Sequence, residues 1–238
     1  FGIEVSPQTW QTPISIKYKK NDKIMHKTIL LDRASKMFKE TSDWQWMLPA
    51  QNGNGYYRWQ IPAIQYVALL SDLELLSNRE KMALLSNSSG LLDAGKITIS
   101  DHLSLLTQLV KDDNAIVSLN VIEELKLIGE QHIDSGNQKA FSNYITSVLT
   151  PWYERIGSKT RVEDNDDVLT LRPRLLRTLG QLGDNPELNK ELVELAHEYL
   201  NGTSNVDDNL AREALRIAAM LDKGDLVKLY YQSYMDSE

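Results

Sequence analysis

Residues 54–62 of the 238-residue chain read Asn-Gly-Tyr-Tyr-Arg-Trp-Gln-Ile-Pro, and the hydrophobic pattern changes on either side of them. Before this stretch, apolar and polar residues alternate, as at Ile14, Ile16 and Tyr18, which is the period of a β-strand. After Pro62, apolar residues recur every three or four positions, which is the period of an α-helix. The sequence therefore predicts an α+β fold of two domains: a small antiparallel β-sandwich over residues 1–61, followed by an all-α superhelical (HEAT/armadillo-like) domain over residues 62–238.

The β part is expected to contain five short strands. They are predicted around residues 14–18, 27–31, 35–40 (a weak edge strand), 44–48 and 56–59. Asn21-Asp22 and Asn52-Gly53-Asn54-Gly55 predict turns, because Asn and Gly tolerate positive φ. The short basic run Lys17–Lys20 beside the first turn indicates a solvated hairpin tip. The tryptophans, clustered in this part, favour core and interdomain packing over an aromatic binding cage: Trp10, Trp44, Trp46, Trp59 and Trp152.

The helical part shows start and stop signals at regular spacing. Ser77 and Glu80 have capping-box spacing and predict a helix that ends at Gly95, with a stripe of Met82, Leu85, Ser89 and Leu92. Two further helices are predicted from Ser100 to Leu109 or Val110 and from Asp113 or Asn114 to Gly136. A third is predicted over 141–152, where Pro151 should bend the helix or end it. The last four are predicted near 168–182, 186–200, 207–221 and 224–235. Small residues in 175–180 and 214–219 would let helices pack closely, so antiparallel pairs stacked into a solenoid are expected.

Composition excludes several function classes. With 33 acidic and 26 basic residues the net charge is -7, which argues against nucleic-acid binding, since phosphates need a basic face. The absence of cysteine excludes thiol catalysis and cysteine zinc ligands within the chain. No apolar run approaches the ~18 residues of a membrane span, so no membrane segment is predicted. Because the chain opens with Phe1 rather than Met, we expect it to be a piece of a longer protein.

The four histidines offer one suggestive motif. His197-Glu198-Tyr199-Leu200-Asn201 nearly matches the zinc peptidase pattern H-E-x-x-H, in which two imidazoles four residues apart share one zinc. Asn201 stands where the second histidine belongs, so the helix-terminus interpretation is favoured, with His197 in the last turn. His102 and His132 are predicted to be surface or boundary residues, and His26 lies in a hairpin strand. No catalytic, metal-binding or cofactor-binding residue is predicted.

Three other motifs have plain structural interpretations. The acidic run 163–167 lacks the glycine and the glutamate that a calcium-binding loop needs at fixed positions. It therefore predicts a solvated loop within 157–167, with adventitious cation binding as the alternative. The glycine-rich turn at 52–55 has no helix N-terminus after it, so phosphate binding is not expected. Asn87-Ser88-Ser89 and Asn201-Gly202-Thr203 match glycosylation acceptors, although Asn87 is predicted to be mid-helix.

Three segments resemble the aminopeptidase N-type zinc metallopeptidases. Trp10-Gln11-Thr12-Pro13-Ile14-Ser15-Ile16 resembles the strand that opens that family's small β-sandwich, and residues 54–59 resemble the Gly-Tyr-Tyr-Arg-Val strand that ends it. Ser77-Asn78-Arg79-Glu80, with Leu91-Leu92-Asp93-Ala94-Gly95-Lys96-Ile97, is similar to the opening of the family's C-terminal helical domain. Together they cover about residues 8 to 110. The remainder is similar in general character to the helical bowl of the endoplasmic reticulum aminopeptidases and their bacterial relatives.

The chain departs from the family pattern at identifiable places. Asn78 stands where the family has Asp, and Trp59-Gln60-Ile61 replaces the usual Val-Asn-Tyr. The helical domain is shorter than is common in the family, so we expect it to be truncated. The family's H-E-x-x-H zinc helix and Gly-x-Met-x-Asn substrate motif belong to the preceding catalytic domain and do not occur here. No zinc ligand or general base can therefore be assigned to any residue of this chain.

The resemblance implies a non-catalytic C-terminal fragment of a zinc-dependent aminopeptidase, a hydrolase that removes N-terminal residues from peptides. The zinc would belong to the parent enzyme, and the partners implied are its N-terminal and catalytic domains and a peptide substrate. The helical part would cap the active-site cleft and shape the substrate cavity. One alternative is a free-standing helical-repeat scaffold that binds a protein partner. Another is a degenerate, inactive aminopeptidase homologue.

Overall fold

The structure, a computed structural model, describes residues 10–33, 35–36, 41, 43–203, 206–221 and 226–236. Over these residues a small antiparallel sheet is followed by nine α-helices, which confirms the predicted α+β class. The chain divides into two compact units, Phe1–Leu109 and Val110–Glu238. The change from strand to helix falls at Pro62, which precedes the first helix. A domain boundary at 61/62 stays a prediction.

The first unit opens with a three-stranded antiparallel sheet. Its strands are β1 (Thr12–Lys20), β2 (Lys23–Leu31) and β3 (Trp46–Leu48), in the order β2-β1-β3. Asn21 and Asp22 connect the first two strands with φ values of 51° and 58°, which confirms the predicted turn. Of the predicted edge strand at 35–40, residues 37–40 lie outside the described part, and Ser35 and Lys36 are not in a strand. The described residues form this one sheet, without the second sheet of a sandwich.

The predicted strand at 56–59 is wrong. This segment is irregular, because its backbone bonds to a helix side chain and not to a neighbouring strand. The Trp59 N–H donates to Oδ1 of Asn87, and the Trp59 carbonyl accepts from Nδ2 of the same residue, each at 2.9 Å. Arg58 also donates through Nη1 to the backbone carbonyl of Ser86 at 2.6 Å. Side chains 56–59 do alternate between exposed and half-buried, but the backbone of Trp59 bonds to a helix and not to a strand.

The two faces of the sheet pack differently. On one face, Tyr18 stacks on Trp44 with ring centroids 3.8 Å apart, in a cluster with Ile16. Lys17 and Lys19 are the alternate residues of β1, and their Nζ atoms lie 2.8 Å from carboxylates of Glu80 and Asp72, respectively. The hairpin predicted at Lys17–Lys20 is present, but the prediction that its lysines are solvated is wrong for Lys17 and Lys19, because strand periodicity directs them towards acidic groups of the helical segment.

Three helices complete the first unit: α1 (Ala63–Ser71), α2 (Asn78–Asp93) and α3 (Ile99–Leu109). The capping box of Ser77 and Glu80 is present, and Gly95 follows α2 with a φ of 63°, so both predicted helix ends are confirmed. The start of α3 differs from the prediction. Its first turn is held by Thr98, whose Oγ1 accepts from the Asp101 N–H at 3.1 Å, and not by Ser100.

The predicted stripe of α2 is shifted by one position. Lys81, Leu84, Leu85 and Ser88 are buried, whereas Met82, Ser89 and Leu92 are only partly so. Gly90 explains part of this shift, because a Cβ there would come within 2.5 Å of the Arg58 guanidinium. The 56–59 segment therefore packs against the side of α2 that contains Asn87 and Gly90.

The second unit contains α4 (Ala115–Gln131), α5 (Gln138–Ile156), α6 (Asp166–Leu182), α7 (Pro186–Leu200), α8 (Asp208–Leu221) and α9 (Leu226–Asp236). The predicted helices are confirmed, and Asn114 caps α4 as expected. Pro151 does not end α5, which continues to Ile156. Helices α4, α6 and α8 lie side by side, while α5 packs against α6 and α7 against α8. A superhelical form stays a prediction.

Candidate functional site

The zinc-like motif lies at a helix end, as the favoured interpretation predicted. His197 is in the last turn of α7, and Asn201 is the C-cap, whose N–H donates to the His197 carbonyl at 3.0 Å. Across the described residues, no group of three or more His, Cys, Asp or Glu side chains is placed to hold a metal ion. The residues that the structure describes therefore do not fit the zinc site that the family resemblance implies for the parent enzyme.

The histidine predictions are only partly correct. His132 is exposed at the C-cap of α4, and His26 is exposed in β2. His102 is not a surface residue: it is fully buried, with Nδ1 2.8 Å from the Ser88 hydroxyl oxygen. Because Ser88 is itself buried, this pair joins α2 to α3 and does not present a nucleophile to solvent. No sequence signal predicted this contact, because Ser88 and His102 are fourteen residues apart and lie on different helices.

Ser88 borders a cavity of about 200 Å³ in the first unit. Trp59, Tyr66, Ser88 and Leu91 are among its lining residues. Burial raises the pKa of Tyr66 to about 12, although a hydrogen bond with Ser88 opposes the shift. Tyr66 is therefore a neutral phenol at physiological pH, suited to hydrogen bonding and not to acting as a base.

The acidic run 163–167 is not uniformly solvated, which corrects the prediction. Asp164 makes a 2.7 Å ion pair with Arg172, and both side chains are almost completely buried. Asp166 and Asp167 form the first turn of α6, where negative charge is favourable, and Asn165 is the N-cap. One signal could have revealed the pair: Arg172 shares a helix face with Leu175 and Leu179, so its cation needed a buried partner.

The remaining sequence motifs have structural roles or lie at the surface. The Asn52 N–H of the glycine-rich turn donates to Glu80 Oε1 at 3.1 Å, so a carboxylate already occupies that donor. Asn87 is buried and bonded to Trp59, whereas Asn201 is exposed. Most tryptophans are packed as expected, but Trp10 is 78% exposed.

A groove of about 420 Å³ lies across α4, α6 and α8 of the second unit. No local sequence signal predicts this groove, because the groove forms only when three helices from distant parts of the chain lie side by side. Its charged residues come in pairs from each helix: Glu123 and Lys126 from α4, Arg174 and Arg177 from α6, and Arg212 and Glu213 from α8. The groove therefore has four cationic and two anionic side chains, in a chain whose net charge is -7.

The ion pairs of the groove leave part of this positive charge uncompensated. Arg174 Nη1 lies 2.6 Å from Glu123 Oε1, so these two charges are matched. Arg177 Nε lies 3.7 Å from Glu213 Oε2, and it donates to Gln181 Oε1 at 3.2 Å. Arg212 is exposed, and within the described part of the chain no carboxylate is at ion-pair distance from it.

Uncharged residues of α6 and α8 also line the groove. They are Leu169, Thr170 and Pro173 of α6 and Asn209 of α8. Pro173 is buried and has no N–H, so the carbonyl of Leu169, four residues earlier, lacks its regular intrahelical donor. The groove thus combines guanidinium and amide donors with hydroxyl and carboxylate acceptors, an arrangement that suits a ligand containing both carbonyl or carboxylate oxygens and N–H groups.

Comparison with known protein families assigns the chain to a class of C-terminal domain. Residues 46–237 match the ERAP1-like C-terminal domain, so the match includes β3 and all the described helices. The chain belongs to this family, the C-terminal domain of ERAP1 and aminopeptidase N-type enzymes, which confirms the resemblance noted in the sequence. Compared with individual curated proteins, the chain gives no significant match. None of the described helices combines the length and the apolar character that crossing a membrane requires.

Proposed function

We propose that this chain is the C-terminal, non-catalytic part of a zinc-dependent aminopeptidase, and that its helices cap the active-site cleft and shape the substrate cavity. The observation that supports the proposal most directly is the family match over residues 46–237. In this proposal the N-terminal and catalytic domains of the same chain are its partners, and a peptide with a free N-terminus is the substrate of the whole enzyme.

The groove across α4, α6 and α8 supports a role in contacting peptide. At about 420 Å³ it has room for a few residues of an extended chain, and it is lined by polar side chains that can donate to and accept from a peptide backbone. Peptide segments bound in such grooves gain affinity from main-chain hydrogen bonds. We therefore assign the peptide-contacting role to this groove.

Peptide binding by the 238-residue chain tests this role. A fluorescein-labelled peptide should show saturable binding by fluorescence anisotropy. Asn209→Trp places a bulky ring at the exposed start of α8, in the groove wall, and should weaken binding. Glu194→Trp places the same ring at an exposed position on α7, outside the groove, where it also removes a charge paired with Lys190, and should bind like the unmodified chain. Loss of binding in both variants, or in neither, would contradict the assignment.

The chemistry itself is assigned to the parent enzyme. With zinc and an aminoacyl chromogenic substrate, the chain alone should give background hydrolysis only. Zinc-dependent turnover that a chelator removes would show that the chain contains its own active site. The scaffold alternative makes a different prediction in the anisotropy experiment, since a protein-binding scaffold has no reason to prefer short peptides in this groove.

A further inference from the structure

We infer that the groove selects peptide segments that carry an acidic side chain, with Arg177 and Arg212 as the residues that bind the carboxylate. This inference rests on the proposed function, in which the groove contacts peptide. It adds a substrate class, namely peptides with Asp or Glu in the segment that lies across α6 and α8.

The charges of the groove carry the inference. Arg174 has its charge matched by Glu123, whose Oε1 lies 2.6 Å from Nη1. Arg177 uses Nε for Gln181, so its two terminal nitrogens remain available in the groove. Arg212 lines the same groove from α8, is exposed and, among the described residues, has no carboxylate within ion-pair distance. Two guanidinium groups that line one groove from neighbouring helices suit a carboxylate, which accepts hydrogen bonds through both oxygens.

Glu213 makes a peptide carboxylate a better ligand than a polyanion. Its side chain is only 14% exposed, and its Oε2 lies 3.7 Å from Arg177 Nε and 3.8 Å from Arg216 Nε. Glu123 adds a second negative charge on α4. These two carboxylates would repel a phosphate dianion or a nucleic acid more strongly than a singly charged side chain.

A matched pair of peptides provides the test. Both are labelled, have free N-termini and amidated C-termini, and differ only in Glu or Gln at two central positions. Amidation removes the terminal carboxylate, so the difference reports on side chains alone. We expect the Glu peptide to bind the chain about tenfold more tightly at low ionic strength, as for a charge-assisted hydrogen bond. High salt should reduce that difference.

Two variants test the assigned residues. Arg212→Gln should remove most of the preference for the Glu peptide, because it should weaken binding of the Glu peptide much more than binding of the Gln peptide. Arg212→Lys should keep part of the preference, because it keeps the charge but loses the planar fork. Lys190→Gln removes the same charge from the exposed face of α7, where Lys190 lies 3.8 Å from Glu194 of its own helix, and should behave like the unmodified chain.

The outcomes separate this inference from the proposed function. Equal binding of both peptides, with loss in Asn209→Trp, would overturn the acidic preference and leave the peptide role intact. If neither peptide binds, both proposals fail. Competition by inorganic phosphate or a short oligonucleotide as effective as that by the Glu peptide would also overturn the inference, because the groove would then be a general anion site.

Discussion

Oδ2 of Asp164 lies 2.7 Å from Nη2 of Arg172, and the two side chains are only 7% and 1% exposed. Arg172 also donates to the carbonyls of Ile156 at 3.0 Å and Gly157 at 3.2 Å, and Asp164 accepts from the Arg161 N–H at 2.6 Å. The pair therefore joins the end of α5, the loop after it and the interior of α6. Although burial opposes ionisation, the Arg161 N–H and the guanidinium hold the pKa of Asp164 below its usual range.

Asp164→Asn should destabilise the chain by about 3 kcal/mol, because it leaves the buried Arg172 cation without its counter-charge. The free energy of unfolding from urea denaturation measures the effect. Glu163→Gln is the matched control, since it removes a neighbouring carboxylate that is exposed, and it should change stability by less than about 0.5 kcal/mol. Equal effects of the two substitutions would mean that the ion pair adds nothing beyond the charge of the loop.

Asp72 provides a prediction about pH in the first unit. It accepts from Lys19 Nζ at 2.8 Å and from the indole Nε1 of the fully buried Trp46 at 2.6 Å. The hydrogen bond with Lys19 is the main reason why the pKa of Asp72 lies below its ordinary value of 3.8. Because the folded-state pKa is the lower one, this contribution to stability is complete at neutral pH and is lost as the pH falls through that lowered pKa.

The indole N–H resonance of Trp46 in ¹H–¹⁵N spectra should report this titration directly. We expect it to shift with a midpoint below pH 3.8, and to show no such transition in Asp72→Asn. Asp93→Asn removes an exposed carboxylate at the end of α2 and serves as the control, with the Trp46 transition retained. A midpoint at or above the ordinary aspartate value would show that the Lys19 contact does not persist in solution.

Helix ends were predictable because the groups that define them are close in sequence. Asn114 accepts from the N–H groups of Ile116 and Val117, and the Ser77–Glu80 box spans only three residues. The strand at 56–59 was mispredicted because its backbone partner, Asn87, is 28 residues away and lies on a helix. Alternation of side chains records exposure and does not record which element supplies the hydrogen bonds.

The groove could not be predicted for a related reason. Arg174 and Arg177 are three residues apart and so share a face of α6, which the sequence does show. That Arg212 lines the same groove depends on α8 packing beside α6, and no local signal specifies this pairing. The resemblance of three short segments to a known family predicted the class of protein, but it assigned no role to any residue of the groove.

The amide of Asn87 should be a large contributor to the stability of the first unit. It satisfies both the N–H and the carbonyl of Trp59, each at 2.9 Å, and it is buried. Asn87→Ala should therefore lower the free energy of unfolding by about 2 kcal/mol, because two backbone groups lose their partner. Asn78→Ala, at an exposed position in the first turn of the same helix, should have little effect. A smaller loss for Asn87→Ala than for Asn78→Ala would refute the bridging role.

Gly180 sets how closely α6 can approach α8, and with it the width of the groove between them. A Cβ at Gly180 would lie 2.9 Å from Cδ1 and 3.1 Å from Cγ1 of Ile217. Gly180→Ala gains up to about 1 kcal/mol of helix propensity, but overpacking costs ~1–3 kcal/mol, so we expect a net loss of about 1 kcal/mol. Ile217→Val removes the Cδ1 methyl and alone should cost about 1 kcal/mol.

The double substitution decides between steric conflict and a backbone effect. If the two side chains collide, Gly180→Ala should cost nothing, or should even stabilise, when Ile217 is already Val. The double-mutant cycle would then give a coupling free energy of about 1 kcal/mol, measured by urea denaturation. Additive effects would show instead that the penalty does not come from Cδ1 of Ile217 but from the atoms that remain, Cγ1 at 3.1 Å or Asn189 Oδ1 at 3.2 Å from the added Cβ. Because α6 and α8 are two walls of the groove, the single Gly180→Ala variant should also weaken peptide binding, and the double variant should restore it.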